Sequence, residues 1–171
     1  QLAWNDHWNG GIGEKPWKRN ATFPVEVGLV TYDGKMRLTR TPIPAIRRLY
    51  EDTKTWSNET IHCSCQDKNI LEGIASKKFD LSAEFDLSGA TAREIEFKIA
   101  NRAINYNIEK QELMGKSLKP DANKRLKIRM LVDWSQLEVF AAEGVFSYSQ
   151  QFPFTPEDGS LKLYTNGGEV K

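Results

Sequence analysis

The chain has 171 residues, enough for one domain with a real apolar core. Its 24 Lys and Arg stand against 23 Asp and Glu, a formal net charge of +1, so neither a nucleic acid nor an acidic membrane surface is indicated as a partner. Apolar runs extend over only a few residues, too short to span a bilayer, and the N-terminus lacks the basic-then-apolar layout of a secretion signal.

The first forty residues are rich in tryptophan and glycine. Trp4, Trp8 and Trp17 flank a glycine-rich loop, Asn9-Gly10-Gly11-Ile12-Gly13, and Tyr32-Asp33-Gly34 marks a tight turn. From Thr41 to Thr53 apolar residues fall at Ile43, Ile46, Leu49 and Tyr50, which predicts a short helix begun by Pro44, or a turn. Cys63 and Cys65 are the two cysteines of the chain. Their spacing puts both on one face of a strand and too near each other for an unstrained mutual disulfide, so two reduced thiols are expected. His62 stands beside them, yet structural zinc needs four well-placed ligands and the other histidine is the distant His7. No metal and no cofactor is expected. Asn20-Ala-Thr and Asn58-Glu-Thr match the glycosylation triplet, which bears on structure only in a eukaryotic secretory protein.

Beyond residue 80 the dominant period is two. Leu81, Ala83, Phe85 and Leu87 alternate with polar residues, as do Ile95, Phe97 and Ile99, and then Ile104, Tyr106 and Ile108. Each reads as a half-buried antiparallel strand. Leu126, Ile128, Met130 and Val132 alternate with Lys127, Arg129 and Leu131, and Leu137, Val139 and Ala141 follow, one face apolar and the other mostly wet. Turn signals fall between them at Ser88-Gly89, Lys119-Pro120-Asp121, Glu143-Gly144, Glu157-Asp158-Gly159 and Asn166-Gly167-Gly168. The expectation is an all-β chain, an antiparallel β-sandwich of jelly-roll or concanavalin-like type.

Two stretches carry a family resemblance. DWSQLEVFAAEG, from Asp133 to Gly144, closed by TNGG near the end, resembles the C-terminal β-sandwich signature of glycoside hydrolase family 32, the invertases, levanases and inulinases. At the other end Trp4 and Trp8, Pro16-Trp17, and Pro24 with Glu26 are similar to the last blade of that family's five-bladed β-propeller, running into MRLTRTPIPAIRRLY. The resemblance implies residues 1–44 as the remnant of that blade with its connector, and residues 45–171 as the sandwich. It also implies a non-catalytic accessory domain that stabilises the catalytic propeller and shapes access to it. The alternative is an independent carbohydrate-binding module for fructans or other glycans. Departures occur at the glycine-rich loop, at Val25 where a basic residue is common, and at Leu113-Met114-Gly115-Lys116.

A retaining glycosidase needs a carboxylate nucleophile and a second carboxyl across the scissile bond. Trp4-Asn5-Asp6 is similar to the start of the family's nucleophile motif, which makes Asp6 the candidate nucleophile, but the residues after it match the last blade, and Arg-Asp-Pro and Glu-Cys are absent. Asp6 is therefore read as a loop residue, and the chain as lacking the catalytic set. Asp133 reads as a turn cap, and Glu138 as pointing away from the core or paired at a sheet edge, since an inward charge needs a partner. Aromatic rings that stack on sugar C–H faces are the other route to function. Trp4, Trp8, Trp17 and Trp134 are the candidate carbohydrate-binding residues, with Trp56, Tyr148, Tyr164 and Asn166 behind them. Expected partners are the chain's own propeller and a fructan or other oligosaccharide. An isolated chain should leave the docking face uncovered and self-associate through it. A secreted or periplasmic location is expected ahead of a cytoplasmic one.

Overall fold

Period-two runs become strands wherever the apolar set can be buried on a sheet face. The computed structural model describes residues 1–5, 20–64, 68–100, 102–134, 136–151 and 160–171. Among them the strands are β1 (Trp4–Asn5), β2 (Asn20–Ala21), β3 (Val25–Tyr32), β4 (Lys35–Pro42), β5 (Lys78–Asp86), β6 (Glu94–Ile99), β7 (Arg102–Asn107), β8 (Glu112–Leu113), β9 (Lys116–Ser117), β10 (Arg125–Asp133), β11 (Gln136–Ala141), β12 (Phe146–Gln151) and β13 (Leu161–Asn166). One sheet has the order β12-β11-β10-β5 and another β13-β6-β7-β8-β9, while β1-β2 and β3-β4 are separate pairs. The fold is an antiparallel β-sandwich, as expected. Pro44–Leu49 forms a 3-10 segment with proline at its start, in place of the α-helix that the spacing also allowed.

The chain divides into two compact units. The first comprises Gln1–Thr55, Lys78–Ser82 and Ile128–Pro153, the second Trp56–Lys77, Ala83–Lys127 and Phe154–Lys171.

In the first unit β11 is buried along all six residues, not on one face. Leu137, Val139 and Ala141 cover one face. Gln136, Glu138 and Phe140 cover the other, opposite Asp133, Leu131 and Arg129 of β10. The second face is closed by an apolar cluster of Val25, Ile46, Leu131 and Phe140, with Phe23 and Ile43 packed on it. The base of the β3-β4 hairpin and the 3-10 segment thus cover a sheet face that simple alternation assigns to solvent. The hairpin turns at Asp33 and Gly34, φ 51° and 71°, the left-handed pair that a two-residue turn requires.

The turn after β11 is held in the same region of backbone space. Ala142, Glu143 and Gly144 have φ of 48°, 53° and 86°. Glycine adopts such angles freely, whereas alanine is strained there. Ala142→Gly should therefore raise stability by about 0.5 kcal/mol, strain relief of about 1–2 kcal/mol being partly offset by a freer unfolded chain. A urea titration reads the change as a higher midpoint at unchanged slope.

In the second unit Phe85 of β5 meets Phe97 of β6 edge-on, ring centroids 5.9 Å apart at 65°. Ile95, Phe97, Ile99, Ile104 and Tyr106 are buried, and the Tyr106 hydroxyl donates to the Leu118 carbonyl at 3.0 Å. Strand β13 lies at the sheet edge, and Asn69 clamps it. The Asn69 amide donates to the Leu161 carbonyl at 2.8 Å, and its oxygen accepts from the Leu163 N–H at 3.1 Å. Cys63, which bridges to Thr165 of this strand, is disulfide-bonded, so the expectation of two reduced thiols does not hold. Cys65 lies outside the described residues.

Candidate functional site

The first unit concentrates its unusual chemistry on the covered face of β11. Glu138 is 3% exposed and faces inward from a strand flanked on both sides, which corrects the reading of it as outward or edge-paired. The register explains the error. Glu138 shares its face with Phe140, so the face is covered, and the charge is tolerated because two donors meet it. The Phe23 N–H reaches Oε1 at 2.7 Å and the Gln136 amide reaches the same oxygen at 2.5 Å. Burial raises the Glu138 pKa, and these two hydrogen bonds oppose the rise. The signal that could have found this lies in the sequence: LEVFA puts Phe140 two residues from Glu138, and a large aromatic on a nominally wet face marks a covered one.

A cavity of about 170 Å³ opens beside this carboxylate, lined among others by Thr22, Phe23, Arg40, Ser147 and Ser149. Ligand pockets begin at roughly 300 Å³, and this volume holds only a few waters. Among the described residues that line it, Glu138 is the acidic one. Glycoside hydrolysis takes two carboxyl groups across a sugar.

A second polar network ties the 3-10 segment to the sheet. Arg129 grips Asp80 with both ends of its guanidinium, Nε to Oδ1 at 3.0 Å and Nη2 to Oδ2 at 2.6 Å, and the Tyr50 hydroxyl donates to Asp80 Oδ2. Burial and this hydrogen bond raise the Tyr50 pKa. Tyr50 falls at an apolar position of the sequence pattern, and no local pattern marks Asp80 or Arg129.

The aromatic candidates are scattered. Trp134 stands in the turn between β10 and β11, 46% exposed, with the Lys78 ammonium 5.8 Å from its ring centroid. Trp4 lies in β1 opposite Ala21, and its backbone alone is described. Trp8, Trp17 and Asp6 lie outside the described residues. Trp56 is 40% exposed, in the second unit. Tyr148 is half-buried, its hydroxyl donating to Gln150, and Asn166 donates to Glu94. Among the described residues no cluster of His, Cys, Asp and Glu could hold a metal ion, and no helix is long and apolar enough to cross a membrane.

Residues 45–171 match the family model described as glycosyl hydrolases family 32 C terminal. Over 99% of its length the chain is 25% identical to a levanase of Bacillus subtilis, and over 98% it is 28% identical to a levanbiose-producing levanase of the same organism. It spans 29% and 36% of those proteins. Among solved structures it is similar to an exo-inulinase of Aspergillus awamori, with a TM-score of 0.84 at 18% identity, covering 99% of this chain and 38% of that one. A fructan 1-exohydrolase of Cichorium intybus gives a TM-score of 0.70 at 16% identity, covering 99% and 43%.

Proposed function

This chain belongs to family 32 of the glycosyl hydrolases by its C-terminal domain, and we propose that it is the non-catalytic accessory part of a fructan-cleaving enzyme, built to dock on and support a catalytic β-propeller. The observation that carries this reading is the outer part of the β3-β4 hairpin. Its register pairs Leu29 with Leu38, Thr31 with Met36 and Val27 with Arg40, so Val27, Leu29, Met36 and Leu38 share one face. These four are 47%, 70%, 68% and 43% exposed. Soluble chains seldom leave such a stripe on a hairpin of two eight-residue strands unless another surface covers it. The part of this face near Val25 and Pro42 is already buried, so the hairpin is half of an apolar contact.

In this reading the propeller is the covering partner, residues 1–44 are the end of its last blade and connector, and residues 45–171 are the sandwich. The fructans acted on by the relatives, levan and inulin, are the substrates of the whole enzyme. The disulfide at Cys63 fits an oxidising, extracytoplasmic location.

Hydrolysis and sedimentation test it together. The 171-residue chain should release no sugar from levan, inulin or sucrose, and should self-associate as its concentration rises. Leu29→Glu with Leu38→Glu should return it to monomer. Sugar release abolished by Asp6→Asn, or a chain that stays monomeric at every concentration with its hairpin apolar, would overturn the proposal.

A further inference from the structure

The first unit makes two hairpin turns of the same length with opposite choices of residue. Tyr32 pairs with Lys35 over Asp33-Gly34, the dipeptide that such turns favour. Asp133 pairs with Gln136 across the turn that Trp134 opens, and Trp134 carries φ 53°. The first central position of a two-residue turn takes Gly, Asn or Asp because φ is positive there. A tryptophan at such an angle is strained, and burial of the ring is the usual compensation. Here the residue is 46% exposed. In a bulky aromatic residue, strain together with exposure motivates the hypothesis of contact with something outside the chain.

The surroundings indicate what that something is. The Lys78 ammonium sits 5.8 Å from the ring centroid, and exposed Asp133 precedes the indole in the chain. The indole is thus flanked by one cationic and one anionic side chain. A flat π surface bordered by a donor and an acceptor suits a sugar, whose C–H face stacks while its hydroxyls reach the flanking groups.

We propose that Trp134, flanked by Lys78 and Asp133, is a stacking platform that holds a β-fructan chain on the surface of this domain. The choice of fructan over other glycans rests on the enzyme reading given above. The platform adds a role for the domain beyond support: it retains polymeric substrate near the enzyme between cleavage events.

The test is affinity electrophoresis of the 171-residue chain in gels containing levan or inulin, with cellulose fragments as the control glycan. Calorimetric titration with levan oligosaccharides gives the constants. The parent chain should be retarded by levan or inulin. Trp134→Asn should lower affinity at least tenfold while raising the thermal midpoint by roughly 2–4 °C, since asparagine suits the turn. Lys78→Met should weaken binding several-fold at an unchanged midpoint. Trp134→Phe, which keeps a ring, should recover part of the binding lost in Trp134→Asn. Absence of retardation, retardation by the cellulose fragments alone, or full affinity in Trp134→Asn would each overturn the platform. Sugar release during titration would instead overturn the non-catalytic reading, so the two failures are separable.

Discussion

Gly144→Ala should destabilise the chain by about 4 kcal/mol or more, among the largest effects of a single methyl group. A Cβ at this position would stand 2.7 Å from the carbonyl carbon and 2.9 Å from the amide nitrogen of Arg40. These are backbone atoms of β4, so no side chain can swing aside. The residue also has φ of 86°, where an L side chain is strained before any clash is counted. The two penalties act together because the turn after β11 presses directly on the hairpin strand. Relief would require β4 to withdraw, and β4 carries the base of the hairpin that closes the Val25, Ile46, Leu131 and Phe140 cluster. Thermal denaturation should show a midpoint lowered by roughly 8 °C or more. The contrast with Ala142→Gly, two positions earlier and opposite in sign, separates backbone strain from loss of packing. A Gly144→Ala chain as stable as the parent would mean that this contact is not maintained in solution.

Glu138→Ala should cost about 2–4 kcal/mol by a different route. It leaves the Phe23 N–H and the Gln136 amide as buried donors without their acceptor, at about 1–3 kcal/mol for each group left unpaired. Glu138→Gln keeps an oxygen where Oε1 stands and should lie within about 1 kcal/mol of the parent near pH 5. The pH dependence then identifies the carboxylate itself. Burial holds its pKa above the ordinary 4.5, so the folded chain binds this proton more tightly than the unfolded one. That contribution is present in full below 4.5 and is lost as pH rises through the raised folded value. Glu138→Gln has no such loss. Its stability relative to the parent should improve from about pH 4.5 upward, as read by urea unfolding across that range. A relative stability that is flat with pH would show that Glu138 titrates alike in both states.

The sandwich was legible because its strands obey the simplest rule of burial. Ile95, Phe97 and Ile99, or Leu126, Ile128 and Met130, each have one wet face and one dry one, and alternation reports that directly. The rule fails where a sheet face is covered by chain from far away. Leu131, Glu138 and Phe140 looked solvent-facing because nothing local says that Val25 and Ile46 return to cover them, about a hundred residues away in sequence. The same long range hid the Asp80 to Arg129 pair, since no local pattern couples two charges on strands that meet only in the fold. Trp134 was legible as an exposed turn residue because Asp133 and the break in alternation mark the turn. Its backbone angle, which gives that exposure a meaning, was not. The disulfide at Cys63 went against a spacing argument that treated the segment as regular strand, whereas Cys63 is an isolated bridge residue outside any strand run.

The clamp that Asn69 places on β13 bears on how copies of this molecule can combine. An open strand edge offers a ladder of donors and acceptors to which another chain can add, and each addition regenerates the same edge, so growth has no natural end. Asn69 occupies the Leu161 carbonyl and the Leu163 N–H with a side chain, which satisfies those groups without presenting a new edge. On that side polymerisation is terminated at its first step. Contact through an apolar face, by contrast, saturates once the face is covered. Association through the β13 edge is thereby disfavoured relative to association through the apolar face.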